Sequence, residues 1–481
     1  MRTLLLSSVL CALLARAGWS DEPTRPVEMT LRPRAVESPV MKYRLLPAEA
    51  EIKAGNAVPI LLRLPWEQNQ WMSKVFPTLH EWEARPLTAP DWRTSDGVLP
   101  LSFYRELKRA AYRRDADWEY PIGEQSGYSI LLPDVQGLRG FLVSGLSARI
   151  RYHLSRGELE PAREGILVGL ANGRHLAQTP FFVNQLVAAT IQRAMLERTA
   201  ELIVQPNCPN MYWALSTLPE SLIELDRAAD FEGTLFAQTF PVAEDLDRPR
   251  DAKEWRKMGD QLVKLLEELQ EIPPAPAKPA AEGPIDDILI QLLQRLGVGE
   301  TGRMAFAKAA REELAELTGL PADKVAAMSD DEVGIRWYVR RRLSRDQKAA
   351  AVMRLQPREA WPRLAELQAE SDALKAKMGG KGIEFLNPVG IYVSAWSLRR
   401  QVDSLRIVEA VRDHLARKGN LPKMLGEIEG LSIPSDALTG EPFGWSVEGK
   451  TAVLKMPALP ESLSASAKSR AGAMEYRIRV E

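Results

Sequence analysis

The stretch PVGIYVSAWSLRRQVDSLRIVEAVRDHLARK, residues 388–418, decides the fold. Ile391, Ala395, Leu398, Val402, Leu405, Val408, Val411 and Leu415 recur at steps of three or four. Apolar residues at that period line one side of an α-helix, and such a stripe must be buried against a neighbouring element. The KGNLP sequence that follows stops the helix with Gly419 and Pro422.

The same spacing recurs upstream. Leu101, Tyr104, Leu107 and Ala111 form one face over 101–114, and a helix is expected over 135–156. After a tight turn at Ser155-Arg156-Gly157, Leu159, Ala162, Ile166, Leu167 and Leu170 mark the next helix. Thr179-Pro180 reads as N-cap and first turn of a helix carrying Val183, Leu186, Val187, Ile191 and Ala194. Short turns between helices of this length make antiparallel neighbours. No fixed repeat period is present. The spacing predicts a mainly α fold, an irregular array of antiparallel helical hairpins resembling an α-solenoid. Near the end, Phe443, Trp445 and Val447 alternate, Glu448-Gly449-Lys450 turns, and Val453 and Leu454 follow. That pattern predicts a small C-terminal β-hairpin, with MEYRIRVE as a third strand.

The organisation follows from composition. Residues 1–20 read as a secretory signal peptide: Arg2 gives the positive start, Leu4 to Leu14 an apolar run too short to span a bilayer, and Ala15 and Ala17 a small-residue cleavage site. Residues 21–100 are proline-rich and read as an extended segment, with one short helix at EQNQWMSKVF (67–76). A helical lobe is expected over 101–271. A Pro/Ala-rich linker at 272–284 then separates it from a second helical lobe over 285–418, and 419–481 holds the terminal loop and hairpin. No later segment approaches 18 consecutive apolar residues, so no transmembrane anchor is expected after cleavage, and the protein is expected to be exported, periplasmic or extracellular.

The chain carries 63 basic and 64 acidic residues. Such a balance supplies no field for nucleic acid, which is not expected as a partner. Without the leader one cysteine remains, Cys208, so no internal disulfide can form.

Several phrases resemble a family of uncharacterised secreted proteins of planctomycete bacteria: KYRLLPAEAEIKAGNA (42–57), AAYRRDADWEY (110–120), LANGRHLAQTPFFVNQLVAATI (170–191), NCPNMYWALSTLP (207–219), LPADKVAAMSDDEV (320–333) and SDALTGEPFGW (435–445). The resemblance brings no activity with it. Its members often carry a cysteine where Ala116 stands, so a disulfide partner for Cys208 implied by the family is absent from this chain. The tail, with Asp436, Gly440, Pro442 and Phe443 after a long helix, also resembles the tail of type II secretion pseudopilins, which implies a local turn-and-hairpin fold.

Candidate chemistry is sparse. Cys208 as a nucleophile needs a histidine beside it, and His153 and His175 lie in the adjacent helices. The competing reading buries Cys208 as a small hydrophobe with Asn207 or Asn210 capping a helix start. In DADWE, Asp115, Asp117 and Glu119 offer carboxylates for Ca²⁺ or acid/base work, against a plain capping loop paired with Arg113 and Arg114. No metal motif is present and no cofactor is expected. GVGETG (297–302) satisfies G-x-G-x-x-G, but a helical pattern precedes it instead of a strand, so it reads as a turn. The Arg340-Arg341-Arg342 run reads as a solvated helix face. Trp66, Trp92, Trp118 and Trp445 sit in loops, and Trp118, Tyr212 and Trp213 are candidate ligand-stacking residues. The preferred expectation is an interaction module that holds a protein, peptide or envelope component between helices. Its rivals are a polymer hydrolase or lyase using carboxylates such as Asp115, Asp117 or Glu164, and a secretion-machinery accessory.

Overall fold

The computed structural model describes residues 26–67, 101–120, 135–240, 245–268, 310–377 and most of 388–481, with position 243 and short pieces between 74 and 92. The expected leader, the linker 272–284, the helical pattern before 297 and the turn at 297–302 lie outside the described residues, as does most of the helix expected over 67–76.

In chain order the elements are β1 (Val27–Leu31), β2 (Lys53–Asn56), α1 (Val58–Glu67), α2 (Leu101–Ala111), β3 (Arg113–Asp115), α3 (Val135–Arg139), α4 (Leu146–Ser155), α5 (Leu159–Ala177), α6 (Phe182–Ile203), α7 (Tyr212–Ser216), α8 (Leu225–Thr239), α9 (Ala252–Glu268), α10 (Ala322–Ala327), α11 (Asp330–Met353), α12 (Pro357–Lys377), α13 (Pro388–Lys418), β4 (Gly444–Glu448), β5 (Thr451–Lys455), α14 (Ala465–Ser469) and β6 (Glu475–Val480). The fold is mainly α with a small sheet whose strands β4, β5 and β6 come from the C-terminus. One π turn, Gly140–Gly145, joins α3 to α4.

Helix α6 is the centre. Val183, Val187, Ile191, Met195 and Leu202 are buried, but so are Gln185, Gln192 and Thr199 on its other sides. A helix enclosed all round belongs inside a core, and α6 packs against α3, α4, α5, α8 and α13. Its tightest partner is α5, with which it forms an antiparallel hairpin. Gly169 and Gly173 permit that approach. A Cβ at Gly169 would lie 2.2 Å from Met195 Sδ, and one at Gly173 would lie 2.8 Å from Gln192 Nε2.

The turn differs from the expected cap. Thr179 Oγ1 donates back to Leu176 O, and Gln185 Nε2 donates to Ala177 O and Thr179 O. The helix therefore starts at Phe182, and the Phe182 N–H finds its acceptor across the fold, Glu232 Oε1 on α8 at 3.1 Å.

The cores group the chain differently from a division at 272–284. The main core takes residues of α2 to α7 together with Leu364 of α12 and Leu398, Leu405 and Val411 of α13. A smaller core joins Leu246, Trp255 and Met258 to Leu314, Val325, Val333 and Trp337. Helix α11 serves both, with Val339 in the smaller core and Val352 and Met353 in the main one.

The expected hairpin is β4 with β5, antiparallel, Trp445 opposite Leu454, and β6 continues it. A fourth strand lies beyond the sequence expectation. β1 runs parallel to β6, with Val27 opposite Tyr476 and Leu31 opposite Val480, giving the order β1-β6-β5-β4. The N-terminal segment is thus partly a strand, and its partner lies at the other end of the chain.

The C-terminal half of α13 ties these parts together. Arg412 and Glu409 form a buried pair at 2.9 Å. Arg412 also donates to Arg32 O and Cys208 O, and Asn210 Nδ2 donates to Glu409 O and Arg34 O. Asp413 Oδ1 accepts the Val36 N–H. Two distant segments, 32–36 and 208–210, are pinned to one stretch of the helix.

The closeness of α5 and α6 gives a direct test. Gly169→Ala is expected to lower stability by about 1–3 kcal/mol through overpacking. Gly426→Ala, where a Cβ meets nothing within 4 Å, is expected to change it by less than about 0.5 kcal/mol. Urea denaturation of both variants checks this; equal effects would mean that the α5–α6 contact is looser than described.

Candidate functional site

Trp396, Arg399 and Asp403 follow one another at steps of three and four on α13, so they share a helix face. That face forms one wall of an open groove of about 460 Å³, completed by Leu218, Glu220, Gln356, Pro434 and Ala437. The volume falls within the range of small-molecule sites.

The groove's walls are fixed from behind. Arg400, one residue from Arg399 on the buried side of α13, holds Asp436 with bonds of 2.8 and 2.9 Å and also donates to Pro457 O. Asp436 in turn accepts from Thr439 N and Thr439 Oγ1, and Gly440 turns the chain at φ +76°. Trp361 Nε1 donates to Leu438 O. The loop carrying Pro434 and Ala437 is therefore clamped at both its acidic turn and its neighbour. Tyr392 donates to Leu355 O, and its ring lies against that of Trp396 with centroids 6.2 Å apart. Arg399 and Arg406 both pair with Asp403, at 2.9 and 3.0 Å. Burial pushes the Asp403 carboxyl up, against the pull of the two guanidinium groups. Arg406 also donates to Ser216 Oγ and lies over the Tyr212 ring.

A second cleft lies where α8, α11 and the start of α13 meet, lined by Phe182, Glu232, Gly233, Arg342, Arg345, Asp346 and Ile391 among others. Its volume is about 30 Å³, enough for about two water molecules. Burial pushes the Glu232 carboxyl up to about 7, with the Asp346 charge adding to the rise and the Phe182 N–H and Arg342 opposing it. Burial also raises Asp346, opposed by Arg342, which donates to it at 2.7 Å, and by Arg345.

Of the residues singled out from sequence, Trp118 and Asp115 come near His175, and Tyr212 packs on Trp213, but they do not gather into one site. Asp115, the last residue of β3, and Asp117, in the loop after it, are exposed, and Asp117 Oδ1 accepts the Glu119 N–H. Arg113 reaches Ala54 O and Arg114 pairs with Glu49, so neither arginine closes on the DADWE carboxylates as expected; pairing with β2 turns them toward its own segment. Glu164 is bound by Tyr104 at 2.7 Å and by Lys108. Burial works to raise it, but those bonds prevail and hold it below the ordinary carboxylate range. His153 bonds Glu158, and burial lowers its affinity for a proton. His175 bonds Ala110 O, and burial lowers it to about 4. Cys208 is fully buried and pushed up to about 12 by burial. Its thiol donates to Pro209 O, and neither histidine is bonded to it. Asn210 Oδ1 accepts the Tyr212 N–H at the start of α7. A thiol so placed stays protonated and is a weak nucleophile.

Tyr212 is buried with its hydroxyl on Ser432 O, and Trp213 is half-buried edge-to-face with it. Trp92, Trp118 and Trp445 each donate to a backbone carbonyl, of Pro86, His175 and Pro422. They seal loops; the side chain of Trp66 lies outside the description. Arg340, Arg341 and Arg342 are paired with Asp247, Glu313 and Asp346, so the basic run is a set of ion pairs and not a free solvated face. Among the described residues no group of three or more His, Cys, Asp or Glu is placed to hold a metal.

Sequence reasoning misses the groove residues Trp396, Arg399 and Asp403. They recur at steps of three and four beside the apolar stripe, and a tryptophan heading that charged row is the available signal.

Two measurements follow. In the folded protein Glu232 keeps a proton that the unfolded chain releases near 4.5. Stability contributed by that proton is complete below the unfolded value and is lost as pH rises toward about 7. The loss is roughly 3 kcal/mol, shared with the neighbouring Asp346. Glu232→Gln is expected to match the parent at about pH 5 and to exceed its stability at about pH 8; parallel stability profiles for the two proteins would refute this. Cys208 is expected to resist alkylation by iodoacetamide in the native state and to react on unfolding, as read by mass spectrometry. No family model, no curated protein and no solved structure matches this chain.

Proposed function

We propose that the protein is an exported binding module whose ligand site is the groove along Trp396, Arg399 and Asp403. The observation that carries this reading is the contrast between two concavities. The Trp396 groove has about 460 Å³ of room, an aromatic ring lying against Tyr392 and walls clamped by the Arg400–Asp436 pair. A site whose side chains are locked before the ligand arrives loses less entropy on binding. The raised carboxylate pair Glu232 and Asp346, the arrangement a hydrolase would need, faces a cleft with room only for water. The carboxylates Asp115 and Asp117 are exposed at and just after the end of β3, and the Glu164 carboxyl is occupied by Lys108 and Tyr104.

A binding module needs no reacting group, and the buried, protonated Cys208 and the proton-poor His175 suit that reading. Export accords with the leader-like residues 1–20, and among the described residues no helix is long and apolar enough to cross a membrane. The expected partner is a component of the cell envelope.

The test is co-sedimentation of the purified full chain with isolated cell envelopes, comparing the parent with Trp396→Ala. The variant is expected to lose about tenfold or more in affinity, the scale of one aromatic anchor. Sedimentation of both proteins alike would place the contact elsewhere.

A further inference from the structure

The charges along the Trp396 groove do not cancel. Asp403 is one carboxylate shared by two guanidinium groups of α13, Arg399 a turn before it and Arg406 a turn after. Arg399 reaches it through Nε at 3.2 Å and Nη2 at 2.9 Å. Arg406 reaches it through Nη1 at 3.0 Å, and Arg406 Nε donates to Ser216 Oγ. Among the described residues, Arg399 Nη1 and Arg406 Nη2 meet no acceptor. The trio therefore keeps one positive charge and spare donors.

The setting of that charge gives it weight. The side chains of Arg399, Arg406 and Asp403 are 17%, 13% and 4% exposed. A charge largely shielded from water acts more strongly on a neighbour than one at the surface. The opposing group in the groove's lining is Glu220, which is exposed, so water and salt screen it. A cation entering the groove would meet that exposed carboxylate, an attraction worth little. A neutral ligand would strip water from the spare guanidinium donors and return no charge to them. An anion compensates the surplus and accepts from Arg399 in a charge-assisted bond. The Gln356 amide, also in the lining, can donate to the same ligand.

Resting on the binding-module reading above, we infer that the ligand of the Trp396 groove is anionic, with a carboxylate or phosphate that pairs with Arg399. Glu220 at the rim opposes its entry, and binding weakens as salt rises.

The experiment titrates the full chain by calorimetry at low and high salt. The anionic probes are glucuronate and inorganic phosphate, one for each anionic group, with glucose and glucosamine as neutral and cationic counterparts. At least one anion is expected to bind at millimolar concentration in low salt, more tightly than glucose or glucosamine, and severalfold more weakly in high salt. Which anion binds separates a carboxylate ligand from a phosphate one. Arg399→Gln is expected to weaken binding about tenfold or more, the scale of one charge-assisted bond. Arg399→Lys, which keeps the charge and guards against misfolding, is expected to weaken it less. Glu220→Gln, at an exposed position, is expected to tighten it severalfold. Anion binding that is unchanged in Arg399→Gln, or no tighter in Glu220→Gln, overturns the inference for this groove. Preference for glucose or glucosamine, or binding of no probe, overturns it as well. In those cases the binding-module reading stands if Trp396→Ala still loses envelope sedimentation, and falls with the inference if it does not.

Discussion

The buried pair of Glu409 and Arg412 is the constraint on which the rest of the molecule depends. Two charges removed from water are costly unless every donor and acceptor is met. Here burial pushes the Glu409 carboxyl up, against the opposing pull of Arg412 and the Met211 N–H. Arg412 directs its remaining donors to the carbonyls of Arg32 and Cys208. The pair therefore dictates where the chain leaving β1 runs and where the loop before α7 sits. With those segments placed, Tyr212 and Ser216 meet Arg406, and Arg406 meets Asp403 at the groove. A single helical turn far from the groove thus sets the angle at which its polar wall is presented.

A second buried pair does the same for the opposite wall. Arg400 and Asp436 are 1% and 0% exposed, and the turn that Asp436 organises carries Ala437 into the groove. Arg399 and Arg400 are adjacent yet have opposite duties, one facing the groove and one facing the core. The helix that the apolar stripe specifies is therefore also the element that separates ligand-facing from structural charge.

Much of the architecture is legible because it rests on local period. The full extent of α13, the Gly157 turn and the β4–β5 hairpin all follow from spacing and turn residues within a short window. Pairings between distant segments are not legible. β1 is five residues long, and its partner β6 lies at the far end of the chain, so no local pattern announces it. The start of α6 is misread for a related reason: its cap comes from Glu232 on another helix, while Thr179, a fitting cap by sequence, turns backward. The candidate site is hidden by attention to reactive residue types. Cysteine, histidine and clustered acids draw notice, but burial and local bonds occupy them, whereas Trp396, Arg399 and Asp403 gain meaning only once loops 218–220 and 434–437 are folded beside them.

The parallel pairing of β1 with β6 has a kinetic side. Arg32 reaches Glu481 across 449 positions of chain, so the sheet joins two segments very distant in sequence. Contacts of such long sequence separation form slowly, because a very large loop must be ordered before they stabilise anything. Until that meeting, Met29 and Leu31, buried in the finished protein, have no strand to lie against. The helical body, built from contacts close in sequence, can gather early, whereas β1 and β6 can pair only once the long loop between them is closed.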